Sequence, residues 1–292
     1  MKRKLLALLL SGMVLMLTMG AGVEKHTSAS EPAFTAPTSV SEALDASVLI
    51  NGQPAPRAIS KYIEAGVSYV SLADMARALD SSAKVTWNEK EKTMVVSTSA
   101  LKLTAVCEHS FIEANGRYLY VPNRVQVLDD GRVIIPLKVV AKAFDASVCW
   151  EEATQTIHIT RGSGAIKPGN QFYKEDAVFW LSRVIYAESG GEVMKGMIAV
   201  GNVVMNRVSS KNFPNTIYGV ISQKNQFSTF KDGKLARCTP TERSVIAAKI
   251  VLDGGVVDEV KNAYFFDAFL DSSWAARNKD VVATIGGHRF YG

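Results

Sequence analysis

The sequence predicts an α+β protein of two domains. The N-terminal domain holds two strand–helix–hairpin repeats, and the C-terminal domain is mostly helical. Three observations lead there. A pattern occurs twice, at Tyr69–Asp80 and at Ile134–Asp145. A Gly- and Pro-rich stretch, with Gly162, Gly164, Pro168 and Gly169, follows the second copy. Beyond it, apolar residues recur at helical spacing, as in Leu181, Val184 and Ile185.

Taken in order, residues 1–30 have the layout of a secretory signal. Lys2-Arg3-Lys4 is a charged start, Leu5 to Met19 is an apolar run, and small residues follow at Gly20-Ala21-Gly22. The run is short for a membrane span, which needs roughly 20 apolar residues. Residues 31–46 fall in a stretch rich in Ser, Thr, Ala and Pro and read as a flexible tether.

Residues 47–160 form the repeat domain. In each copy a short strand leads into an amphipathic helix, and a Trp (Trp87, Trp150) opens a two-stranded hairpin that closes on Thr93–Ser97 or Thr156–Thr160. The two Trp residues read as core anchors, because large aromatics usually serve packing. Residues 161–175 are a linker, since Gly and Pro punctuate them.

Residues 176–292 change character. A first helix is expected over 176–189 and a second over about 192–208. The second is apolar round more than half its circumference and belongs in a core. A short helix is expected over 216–222. A third long helix runs to about Asp253, with Thr239 as cap and Pro240 at its first position. Tyr264-Phe265-Phe266 has strand-like spacing.

Composition narrows the function. The 292 residues are 47% hydrophobic and 21% charged, with a net charge of +5. No Lys/Arg block is interleaved with aromatics, so nucleic acid is not an expected partner. The three cysteines (Cys107, Cys149, Cys238) cannot all pair within one chain, although Cys107 and Cys149 are candidates for a bridge. The four histidines are scattered, so neither a metal site nor any cofactor is expected.

Glu188 is the residue that points to chemistry. It continues the stripe of Leu181, Val184 and Ile185, so a carboxyl lies on the apolar face of a helix that stops at Gly190-Gly191. Desolvation disfavours the charged form of such a group, as an acid working near neutral pH requires. Glu192 lies four residues on. It is either a second reacting carboxylate or an acid favoured by the dipole at the start of the next helix.

Residues 178–292 resemble the catalytic domain of the SleB/CwlJ family of cell-wall hydrolases. The resemblance rests on Ala187-Glu188-Ser189-Gly190-Gly191-Glu192, Ala199 to Arg207, Phe213 to Ile221, Asn225-Gln226-Phe227-Ser228, Ala263 to Phe266 and Ile285 to Tyr291, which keep the family's order. It implies a lysozyme-like fold, similar to goose-type lysozymes and lytic transglycosylases, that cuts peptidoglycan with Glu188 as acid. Ser189-Gly190 departs from the Ala-Arg usual in the family. Residues 47–160 resemble the repeat named after the N-terminal domain of copper amine oxidases, a stalk-like module of secreted bacterial proteins. With no ligand cluster present, copper binding does not follow.

The resemblance implies glycan strands of peptidoglycan as partner, with an accessory or regulatory wall protein open as a second. It places the protein outside the cell, at the wall or spore envelope. Glu188 and Glu192 are the candidate catalytic residues. Ser189, Asn206, Arg207, Gln226, Ser228, Tyr264, Phe266 and His288 are the candidates for substrate contact. A lytic transglycosylase needs one carboxylate, whereas a muramidase-type hydrolase would use both. A wall-binding protein without activity is the alternative from another class.

Overall fold

The computed structural model describes residues 41–42, 47–56, 59–64, 66–224, 226–227, 230 and 233–292. The expected signal and nearly all of the expected tether lie outside these residues.

The repeat domain opens with β1 (Ser41–Glu42), β2 (Ser47–Ile50), β3 (Gln53–Pro54) and β4 (Lys61–Glu64). The first copy of the sequence pattern gives β5 (Val67–Ser71), α1 (Leu72–Leu79), β6 (Lys84–Asn88) and β7 (Thr93–Ser97). β8 (Lys102–Val106), β9 (Phe111–Ala114), β10 (Arg117–Tyr120) and β11 (Gln126–Val127) intervene. The second copy gives β12 (Val133–Pro136), α2 (Leu137–Ala143), β13 (Ser147–Glu151) and β14 (Thr156–Thr160). β1 pairs with β4, so the last residues before the domain join its sheet instead of belonging wholly to a tether.

The two copies meet through their first strands, β5 and β12, which pair antiparallel with Val70 opposite Ile135. Each hairpin is then extended by different chain, β7 by β8 and β14 by the parallel strand β2. Leu72, Met75 and Leu79 of α1 and Leu137 and Val140 of α2 join one core with Val96, Leu103 and Ile159. The two helices begin differently. Ser71 accepts a hydrogen bond from the Asp74 amide at the start of α1. Pro136 stands at the same place before α2 and offers no side-chain cap.

Trp87 and Trp150 are not core anchors. They are 39% and 41% exposed. β6 and β13 are edge strands, and the core side of each hairpin is filled from the partner strand by Met94, Val96, Ile157 and Ile159. Each indole N–H instead donates to a carboxylate two residues on, Trp87 to Glu89 at 2.6 Å and Trp150 to Glu152 at 2.5 Å.

The expected linker is pinned along its middle. Ile166 is buried in the repeat-domain core, and the Gly169 amide donates to the Asn115 carbonyl at 2.8 Å. It contains α3 (Gly169–Phe172). The C-terminal domain continues with α4 (Glu175–Ser189), α5 (Met194–Ser209), α6 (Ile217–Ile221), α7 (Lys234–Arg237) and α8 (Glu242–Leu252). A final layer holds β15 (Phe265–Asp267), α9 (Trp274–Asn278), β16 (Val281–Ile285) and β17 (His288–Tyr291), with strand order β15-β17-β16.

α5 runs through the core against α4 and α8. Gly201 permits the close approach. A Cβ there would lie 2.9 Å from Val251 Cγ2 and 3.0 Å from Ile185 Cδ1. α8 starts two residues later than the sequence suggests. Thr241, not Thr239, is its cap, because the Thr241 hydroxyl accepts from the Ser244 amide. Among the described residues no helix is long and apolar enough to cross a membrane. Cys107, Cys149 and Cys238 are free thiols, so the candidate bridge is not formed.

The two domains are joined by a buried ion pair. Arg117 on β10 donates to both oxygens of Asp253, which closes α8, at 2.8 and 2.7 Å. Tyr173 donates its hydroxyl hydrogen to the same carboxylate at 2.9 Å, and Lys142 of α2 lies 2.8 Å from it. Burial alone would raise the Asp253 pKa. The hydrogen bonds from Arg117 and Lys142 outweigh that and hold it below the usual carboxylate range.

Candidate active site

The site is built at the end of α4. Leu181, Val184 and Ile185 are fully buried and orient the helix. Glu188 follows on the same side and is half-buried, as its place in the stripe predicts. Ser189 is the last residue of α4, and the Gly190 amide donates to the Tyr186 carbonyl at 3.0 Å to close the helix.

Glu192 has a different setting. α5 begins at Met194 with Val193 as its cap, so Glu192 belongs to the turn and not to a helix start. Its carboxylate crosses to the β16–β17 turn. There it accepts from the Gly287 amide, at 3.1 and 3.2 Å to its two oxygens, and lies 3.7 Å from His288 Nδ1. Gly286 has φ +57°, and a Cβ there would lie 1.8 Å from Glu192 Oε2. Glycine is therefore required both by conformation and by the approach of the carboxylate. Arg243 also reaches the Glu192 carbonyl at 3.4 Å.

Several of the expected substrate contacts bond within the scaffold. Ser189 is buried, and its hydroxyl donates to the Ile185 carbonyl at 2.8 Å, as a serine on the inner face of a helix does when its only acceptor is the preceding turn. Asn206 donates to the Val260 and Ala263 carbonyls at 3.0 and 2.8 Å, tying α5 to the loop before β15. Arg207 is 4% exposed and donates to the Tyr264 carbonyl at 2.7 Å. Its guanidinium lies among Phe213, Phe227 and Phe265, 5.2 to 5.4 Å from their centroids. Burial pushes its pKa down to about 10. His288 is buried between Glu192 and the Phe266 ring, 5.6 Å from the latter's centroid.

Phe266 is half-buried and also packs on Phe227 and Phe290. Tyr264 is half-buried and stacks on Phe213 at 6.0 Å. Gln226 is exposed, and Ser228 lies outside the described residues. The structure thus joins Glu192, His288 and Phe266 in one cluster and Arg207 with Tyr264 in another, and leaves Glu188 at the helix end.

Sequence reading missed two supports. One is Asp267, which accepts from Tyr291 at 2.8 Å and Ser273 at 2.6 Å and pairs with Arg289. Burial works to raise its pKa, but these hydrogen bonds hold it below the ordinary value. The other is the reach of the Gly286-Gly287 turn to Glu192. The adjacent glycines beside His288 were the only local signal for it.

Half-buried Glu188 at the end of α4, four residues before a clamped second carboxylate, is an arrangement suited to an acid acting on a glycosidic bond. Comparison gives the class: residues 191–291 match the family model described as Cell Wall Hydrolase. Residues 49–159 match the copper amine oxidase N-terminal domain. Glu192 falls inside the first match, and Glu188 lies three residues ahead of it.

More particularly, the C-terminal part is similar to spore cortex-lytic enzymes. It is 33% identical to that of Bacillus cereus over 119 residues, 40% of this chain and 45% of the relative. The enzyme of Oceanobacillus iheyensis is 29% identical over 41% of this chain and 43% of its own length. That of Bacillus subtilis strain 168 is 30% identical over 38% and 35%. The chain thus matches less than half the length of these relatives. Among solved structures it is similar to the catalytic domain of the Bacillus cereus SleB protein, at 30% identity over 41% of this chain and 92% of that one, with a TM-score of 0.38.

The name of the N-terminal family raises copper. Among the described residues no three His, Cys, Asp or Glu side chains converge to hold a metal ion. The residues present do not fit one.

Proposed function

We propose that the C-terminal domain is a lysozyme-like lytic transglycosylase that cuts peptidoglycan between N-acetylmuramic acid and N-acetylglucosamine, with Glu188 as the acid and then the base. Glu188 donates its proton to the glycosidic oxygen as the C1–O bond breaks. The muramic C6 hydroxyl attacks C1 and returns its proton to Glu188, leaving a 1,6-anhydro end and a restored acid. One carboxylate completes this cycle, whereas hydrolysis through two requires a second one near the bond.

The observation that carries the reading is the capture of Glu192 by the Gly287 amide, with His288 Nδ1 3.7 Å away. It gives Glu192 a structural task, which favours Glu188, the motif's other carboxylate, as the acid. The similarity to spore cortex-lytic enzymes supports spore cortex or cell wall as the substrate. The signal-like start supports secretion. Residues 47–160 would then be a stalk that presents the catalytic domain to the wall or to an accessory wall protein.

The test is digestion of purified peptidoglycan by the full chain and by Glu188→Gln, with products read by mass spectrometry. Anhydro-muropeptides that vanish in the variant are the expected result. Reducing ends would make the enzyme a hydrolase and bring Glu192 back as the second carboxylate. No cleavage of cortex or vegetative wall would favour a wall-binding protein.

A further inference from the structure

The helix that carries Glu188 also carries an aromatic surface that the reaction above does not use. Trp180 lies in α4, eight residues before Glu188, and so stands about 12 Å from it along the helix axis. Two rings from other parts of the chain close on it. Tyr218 of α6 lies 5.0 Å away between centroids and Phe230 6.3 Å, and these two are 5.7 Å from each other. Trp180 and Phe230 are partly buried against the C-terminal core, whereas Tyr218 is 51% exposed. The three rings form a shelf anchored by Trp180 and Phe230, with Tyr218 as its open edge. Core packing accounts for the two anchors, but a ring half in water gains only part of the stabilisation of burial.

The polar groups of the shelf are unspent. Among the described residues neither the Trp180 indole N–H nor the Tyr218 hydroxyl has a hydrogen-bond partner. Trp87 and Trp150 differ, because their N–H groups are committed to Glu89 and Glu152. The shelf therefore offers flat apolar faces with an N–H donor and a hydroxyl beside them. A sugar ring has the complementary build, an apolar C–H face bordered by hydroxyl and acetamide groups. An apolar protein segment laid there would leave both polar groups unpaired, at a cost.

Ala187 connects the shelf with the reacting end of the helix. It lies seven residues after Trp180, on the same stripe of α4, and is exposed. Its methyl group keeps that stripe low beside Glu188.

We infer that the shelf of Trp180, Tyr218 and Phe230 is a remote sugar subsite, which holds an N-acetylated sugar of the glycan strand about two turns of α4 away from the bond being cut. The inference rests on the wall-glycan reading of the C-terminal domain. The sugar stacks on the shelf, its polar edge bonds to the indole N–H and the tyrosine hydroxyl, and the strand follows the Ala187 stripe to Glu188. Only a strand long enough to reach both places gains the stacking, so the subsite selects long strands.

The full chain carrying Glu188→Gln is titrated with peptide-free glycan strands, and binding is read by calorimetry. The expected result is saturable binding that Tyr218→Ala weakens roughly tenfold, the effect of one stacked ring. Tyr218→Phe keeps the ring, loses only the hydroxyl and weakens binding less. Trp87→Ala, in the repeat domain, binds as before. In the chain that retains Glu188, Tyr218→Ala raises KM for long strands by a similar factor and keeps kcat, the mark of binding shared by ground and transition states.

Absence of glycan binding by the Glu188→Gln chain overturns the inference, as does a Tyr218→Ala chain that binds like Trp87→Ala. Equal, Tyr218-dependent binding of the stem peptide without sugars overturns it in favour of a peptide site. Cleavage is read separately on the unaltered chain. Binding that depends on Tyr218 without cleavage refutes the proposed reaction and leaves the subsite standing, and cleavage whose KM is indifferent to Tyr218 does the reverse.

Discussion

Two glutamates four residues apart, in one motif, have opposite fates. Glu188 closes a helix stripe and remains half-buried at the helix end. Glu192 leaves the turn after that helix and is held by a hairpin 95 residues further along the chain. The difference teaches that residue type and spacing do not assign roles within a carboxylate pair. The partner each carboxylate finds does so. Glu192 is tied to a distant turn, whereas Glu188 keeps the place in the helix stripe that its spacing gives it.

The largest expected effect is at Glu188. Glu188→Gln should lower peptidoglycan cleavage by about 10²–10⁴-fold, the usual worth of a positioned acid, with the unfolding midpoint unchanged or raised. A variant that still cleaves at a tenth of the normal rate would end the assignment.

Gly286→Ala attacks the clamp from the other side. It forces an alanine to a left-handed φ and displaces the Glu192 carboxylate, and should destabilise by about 3 kcal/mol in denaturant unfolding. A change below ~1 kcal/mol would mean that the turn holds without the carboxylate.

Removing the carboxylate itself has a smaller effect. Glu192→Ala should cost about 2 kcal/mol, and Glu192→Gln, which keeps an oxygen to accept from Gly287, about 1 kcal/mol or less. Both should retain cleavage measured below their unfolding temperature. A Glu192→Gln chain as inactive as Glu188→Gln would erase the contrast between the two residues and restore the two-carboxylate mechanism.

Acid titration sharpens the contrast with a third carboxylate. The pKa of Asp253 is lowered in the folded chain, so its contribution to stability is fully present above the unfolded value near 4 and is lost as pH falls through the lower folded one. The loss should appear as weakened docking of the two domains at low pH, seen as faster proteolysis near Gly169. Arg117→Ala should abolish that acid dependence. If the variant keeps it, another group holds the interface.

Much of the scaffold was legible because it is periodic. The stripe of Leu181, Val184 and Ile185 read correctly as the inner face of a helix, and the apolar residues of α5 marked it as central. The half-burial of Glu188 follows from the same stripe. Errors came where an edge or a distant partner decides. Trp87 and Trp150 look like core residues by type, but both sit on edge strands. Thr239 looks like a helix cap, yet Thr241 has the hydroxyl that reaches the Ser244 amide. For Ser189, Arg207 and His288 nothing in the sequence signalled the backbone carbonyl or ring that each one faces.

The sequence by itself determined the two-domain α+β class, the twofold repeat, the helix that carries Glu188 and the wall-hydrolase resemblance. These depend on periods of two and 3.6 residues and on contiguous motifs, which are local properties of a chain. Only the tertiary structure decided that Glu192 is clamped, that the expected linker is pinned, and that Arg117 of the repeat domain pairs with Asp253 of the C-terminal domain. The physical reason is separation along the chain. Glu192 meets Gly287 across 95 residues and Arg117 meets Asp253 across 136, and no local pattern records which distant group will satisfy a buried charge.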